Sequence, residues 1–82
     1  MIKILALTNN LILISQIEEV GADIGEPDCK LINPYVVSKD GLLEPFLYEY
    51  TDLNIFMIQS DKIITLVDPK SSLLKKYENL IK

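Results

Sequence analysis

Histidine, arginine and tryptophan are missing from this 82-residue chain, and cysteine occurs once, as Cys29. A single cysteine excludes an internal disulfide, and an unpaired thiol suits a reducing cytoplasm better than secretion. With no imidazole and no second sulfur there is no thiolate–imidazole zinc site and no Cys–His nucleophile. Long apolar runs are also missing. "MIKILALTNNLILI" is interrupted at Thr8-Asn9-Asn10, carries one positive residue, Lys3, and is followed by no small-residue cleavage pattern. Neither half approaches the ~20 apolar residues of a spanning helix. A cytoplasmic protein without an export signal or membrane contact is expected.

The missing arginine bears on partners. All eight basic residues are lysines and the net charge is −4. Arginine is the usual fork for phosphate and guanine and the better stacker on bases. An acidic, arginine-free domain lacks the basic stripe of a general nucleic-acid binder, and no DNA specificity is expected. No nucleophile–base pair, phosphate loop or metal constellation is legible, so neither an enzyme nor a cofactor is expected.

What is present is apolar side chain. Hydrophobic residues make up 49% of the chain. A domain this small buries only ~60–65% of the surface its unfolded chain exposes, and commonly adds disulfides, a metal or further copies of itself. With the first two excluded, oligomerisation remains. "NIFMIQSDKIITLVDP" (54–69) sharpens the point: it reads as two short strands around Gln59-Ser60-Asp61-Lys62. A half-buried strand alternates apolar and polar residues, yet Ile55, Phe56, Met57 and Ile58 run together, as do Ile63, Ile64, Leu66 and Val67 around Thr65. Their second faces need a cover.

Along the chain, residues 2–8 are extended or a short helical remnant, and Asn9-Asn10 suits a tight turn. Residues 11–20 form a strand, "GADIGEPD" an acidic loop, and 29–38 a strand with a bend at Pro34, placed at an edge or bulge because proline cannot donate. Lys39-Asp40-Gly41 signals a turn. Residues 42–50, "LLEPFLYEY", read as a strand with Phe46, Tyr48 and Tyr50 on one face. Asp68 suits a helix N-cap with Pro69 at the first helical position. Leu73, Leu74, Tyr77, Leu80 and Ile81 then form one face of a helix over about 69–81. Five or six short strands and one C-terminal helix predict a small barrel or strongly bent sheet in a single domain.

"IQSDKI" (Ile58 to Ile63) resembles the second signature of Sm-like proteins, apolar-Arg-Gly-Asp-Asn-apolar. Asp40-Gly41-Leu42-Leu43-Glu44 has the spacing of their first, Asp-x-x-Met-Asn. Strand order from about residue 9 to 68 is similar to the Sm fold, and the chain resembles the compact Sm-like proteins of cyanobacterial phages. The final helix departs from familiar members, which carry theirs before the first strand. The resemblance implies a mainly β fold: a strongly bent five-stranded antiparallel barrel with a C-terminal α-helix. It also implies a cyclic homo-oligomer of roughly five to seven copies, the fourth strand of one pairing with the fifth of the next. Ile55, Phe56, Met57, Ile58, Ile63, Ile64, Thr65, Leu66 and Val67 would form that interface.

The family binds uridine- or adenosine-rich RNA at the pore, as regulators or chaperones of RNA. Its base-stacking, base-bonding and cationic positions fall here on Leu43, Glu44 and Gln59, with Asp40, Ser60, Asp61 and Lys62 completing the loops. Leucine stacks poorly, glutamate repels phosphate, and glutamine brings no charge, leaving Lys62 as the one cation. Two readings stay open: an RNA-binding ring, or an oligomeric structural or protein-interaction scaffold without the RNA pocket. Lys70, Lys75, Lys76 and Lys82 gather positive charge on the helix, where RNA contact outside the pore would fall. Glu18, Glu19, Asp23, Glu26 and Asp28 lack the alternating spacing of a calcium loop and read as a solvated loop. Cys29, in the apolar register of Leu31, reads as a buried inert thiol.

Overall fold

The computed structural model describes all residues, 1–82. Six strands precede one helix: β1 (Ile2–Leu7), β2 (Ile12–Glu19), β3 (Cys29–Val37), β4 (Leu43–Pro45), β5 (Ile55–Ile58), β6 (Ile63–Val67) and α1 (Ser71–Leu80). The protein is mainly β. Its strands form one antiparallel sheet in the order β4-β3-β2-β1-β6, with β5 also on β3. Asn10, at φ 67°, makes the tight turn into β2, a left-handed position that asparagine tolerates. The sheet starts at Ile2, earlier than the Sm resemblance suggested, and β1 is a full strand between β2 and β6.

Strand β3 determines the shape. Ile14 pairs with Tyr35 and Gln16 with Ile32, so Ser15 of β2 faces two residues, Asn33 and Pro34. That is a β-bulge, and it bends the strand. Proline fits the bulge because it has no N–H to leave unpaired. Asn33 takes φ 53° there. On its other side β3 changes partner at the same point: residues 29–32 pair with β5, and residues 35–37 with β4. Two backbone bonds fasten the change, Asn33 N–H to Asn54 C=O at 2.7 Å and Phe46 N–H to Pro34 C=O at 2.9 Å.

The bulge leaves backbone groups without ladder partners, and Tyr77 of α1 supplies them. The Gln16 N–H donates to the Tyr77 hydroxyl at 3.2 Å, and that hydroxyl donates toward the carbonyls of Asn33 (2.7 Å) and Ile32 (3.2 Å). Ser15 Oγ contributes a further bond to Ile32 C=O. Tyr77 is 0% exposed, and its ring meets Tyr35 edge-on at 5.7 Å. Burial pushes the Tyr77 hydroxyl above its usual pKa, so it stays protonated and able to donate.

The apolar residues divide between the two faces. Inside the bend, Leu5, Leu7, Leu13 and Leu31 pack with Leu11, Ile17, Val36, Phe46, Phe56, Ile58 and Ile63. Phe46 and Phe56 meet edge-on at 5.5 Å. Ile14 and Tyr77 are buried outside this cluster, on the side that α1 covers. The helix thus covers the second face of the central strands, but not that of β5 and β6.

Two expectations give way to the structure. Residues 42–50 are not one strand: only Leu43–Pro45 pairs, and 46–50 turn, with Leu47 at φ 61°. Phe46, Tyr48 and Tyr50 therefore share no face; Phe46 enters the core while Tyr50 is 81% exposed. The reason is the bend in β3, which a straight partner strand could not follow. Asp68 does not cap α1, which begins at Ser71 with Lys70 in the cap position; it pairs instead with Lys3 of β1.

Replacing Tyr77 with phenylalanine keeps the ring but strands the Gln16 N–H and the Asn33 carbonyl. Urea denaturation is expected to show a loss of about 1–3 kcal/mol, whereas Asn33→Gly, which accepts positive φ freely, stays close to wild type.

Candidate functional site

The two loops matched to the Sm signatures lie at opposite ends of β3. Cys29 pairs with Ile58, which places Gln59-Ser60-Asp61-Lys62 at the start of that strand. Val37 pairs with Leu43, which places Asp40, Leu43 and Glu44 at its other end. The structure therefore gathers Gln59, Ser60 and Asp61 around one concavity without Asp40, Leu43 or Glu44. Leu43 instead borders a hollow with Lys76, Asn79 and Leu80 of the helix. Lys62 ends the short 3-10 turn and is exposed.

The neighbour of the 59–62 turn is the acidic loop between β2 and β3. Gln59 Nε2 donates to Gly25 C=O at 2.7 Å. Asp28 grips the turn with both carboxylate oxygens: one accepts the Ser60 N–H and the other the Ser60 hydroxyl, each at 2.7 Å. The Ser60 hydroxyl, then the Ser60 amide, hold the Asp28 carboxyl below its ordinary value of 3.8. Gly25, Glu26, Asp28, Gln59, Ser60 and Asp61 line a concavity of about 280 Å³ with no apolar wall. Three carboxylates on its rim oppose a phosphate backbone. They do not converge on a common point as metal ligands would.

This clasp was hidden in the sequence. Asp28 reads as one of several acids in a loop, and only the β3–β5 register brings it against Ser60. Cys29, next along the chain, is 5% exposed, as its apolar register predicted. Burial, with smaller effects from the charges of Asp28 and Glu19, pushes its thiol above 9.0. The thiolate needed for nucleophilic chemistry is disfavoured there.

The expected interface residues occupy the two margins of the sheet. β5 pairs only with β3 and β6 only with β1; although consecutive, the two strands do not pair with each other. Phe56, Ile58 and Ile63 point into the core. Ile55 is 48% exposed, Met57 47% and Ile64 66%, with Leu66, Val67 and Thr65 also exposed. Beside β6 the bent sheet leaves a groove of about 390 Å³, walled largely by Met1, Ile17, Cys29, Ile63, Ile64 and Leu66. No helix is long and apolar enough to cross a membrane.

Fold and site together define a small bent-sheet β domain with a helical cover and two bare apolar margins. The chain belongs to the family of unknown function DUF6561, which it matches over residues 1–82. No curated protein matches it.

The Asp28 clasp carries a pH signature. Because the folded pKa lies below 3.8, its contribution is complete above that value and fades as pH falls through the lower, folded one. In an NMR titration the Ser60 amide proton should report a midpoint below 3.8, and Ser60→Ala should move the Asp28 midpoint upward.

Proposed function

We propose that the protein is the subunit of a cyclic homo-oligomer that serves as a structural or protein-interaction scaffold. The observation that carries this reading is the pair of bare margins. β5 and β6 each keep one edge unpaired, and both expose apolar side chains. Open edges of that kind invite strand addition unless they are charged, bulged or covered. Neither β5 nor β6 contains a charged residue or a proline, and the one irregularity, a bulge that leaves Ile64 of β6 unpaired against β1, keeps Thr65 to Val67 in regular extended register. The partner argued for each edge is the other edge of a second copy. The lengths match, four residues in β5 against five in β6, and one interface satisfies both strands. Such a head-to-tail contact forms a ring when its rotation closes.

The Sm-like reading supplies the same pairing between neighbours, and the bent sheet with a 3-10 turn before the last strand is compatible with it. RNA at the pore is the weaker reading. Its positions divide between the ends of β3, and the loop holding Gln59 and Ser60 is lined by Glu26, Asp28 and Asp61. Nothing in this reading calls for catalysis.

Light scattering behind a sizing column should find a single multiple of the 9.3 kDa chain. Ile64→Lys and Met57→Lys, each placing a charge on one margin, should yield folded single copies. A wild-type protein that stays a single copy at high concentration removes the proposal. In a separate fluorescence-anisotropy titration, U-rich and A-rich oligonucleotides should show no salt-sensitive binding at tens of micromolar. Binding that disappears on Gln59→Ala or Lys62→Ala would restore the RNA reading.

A further inference from the structure

At the end of β3 far from the acidic loop, the turn after β3 and the start of α1 enclose a concavity of about 340 Å³. Its walls include Lys39 from the turn and Lys70 and Lys76 from the helix region, with Ser38 and Ser72 between them. Three lysines thus border one hollow on a chain whose net charge is −4. None of them is paired with a carboxylate: the chain's one ion pair is Lys3–Asp68, and Asp40, in the same turn, pairs with no lysine. Lys76 donates instead to Gly41 C=O at 3.4 Å, which holds its charged end over the turn.

Like charges presented by two separate elements around one hollow give it a positive potential that favours an anion. Lysine binds phosphate as a point charge, and the two serines add hydroxyl donors. At the helix start the cap residue offers no side-chain bond and the first turn holds no acid. The charge is concentrated around a hollow instead of spread along a stripe. Small-ligand sites occupy about 300–1,000 Å³, whereas nucleic-acid surfaces are extended and basic over a whole face.

We propose that this concavity binds the phosphate group of a small phosphomonoester, with Lys39, Lys70 and Lys76 as its cationic contacts. The site is independent of the sheet margins, so it stands or falls separately from the assembly.

The test is a backbone-amide NMR titration of the full chain at constant ionic strength, with chloride replaced by inorganic phosphate or by ribose 5-phosphate. Parallel arms use a single-stranded RNA and phosphatidylserine vesicles as other carriers of phosphate. Both small ligands are expected to give saturable shifts confined to the amides around 38–41 and 71–76. Lys39→Gln and Lys70→Gln should each weaken binding by about three- to tenfold, and Lys62→Gln, at the other end of β3, should leave it unchanged. The wild-type shift map is decisive even without the variants. Shifts that merely follow ionic strength, equal weakening by Lys62→Gln, or binding of RNA or vesicles without binding of the small phosphates would overturn the proposal.

Discussion

The β2–β3 bulge governs this molecule. Where Ser15 meets Asn33 and Pro34, the β2–β3 ladder loses its regular spacing, and the strand that results is too bent for one straight neighbour. β4 and β5 each take half of it. The curvature that encloses Leu5, Leu13 and Leu31 follows from that local defect. Its unsatisfied amide and carbonyls are costly in a low-dielectric interior, and one tyrosine hydroxyl meets them. Tyr77 thus links backbone accounting to tertiary packing: the helix lies where the sheet needs a donor and an acceptor.

Much of this was legible in the residues. Asn9-Asn10, Lys39-Asp40-Gly41 and the i, i+4 spacing of Leu73 and Tyr77 reflect local chemistry, and the turns and helix fall where those residues place them. Pro34 announced an edge or a bulge because a missing N–H is a local fact, and the β2–β3 register selects the bulge. The stretch 42–50 misled because alternation in "LLEPFLYEY" fits a strand until the partner bends away, which is a property of β3. Asp68 misled similarly, since a carboxylate before proline suits a cap but Lys3 arrives from β1. The spatial placement of the two loops was not legible in the chain. Two short motifs can keep a family's spacing along the chain while strand pairing delivers them to different ends of the sheet.

The charges follow the same axis. The β2–β3 loop puts Asp23, Glu26 and Asp28 at one end of β3, while Lys39, Lys70 and Lys76 cluster at the other. Between these ends run the apolar margins of β5 and β6. Polarity is thus separated from hydrophobicity in space as well as in sequence. A concavity lined by acids, a hollow bordered by lysines and an apolar flank offer three surfaces of different chemistry on one small domain.

The excursion between β4 and β5 has a consequence for how the chain can be altered. It leaves the sheet at Phe46, bonded to Pro34, and returns at Asn54, bonded to Asn33, so its two stems are tied to adjacent residues of one strand. A loop with neighbouring stems can change length at small entropic cost, roughly 0.6 kcal/mol per doubling. The segment from Leu47 to Leu53 is accordingly the natural place to graft an epitope or a fluorophore, because extra residues there would hang from a closed doorway and leave every ladder in register.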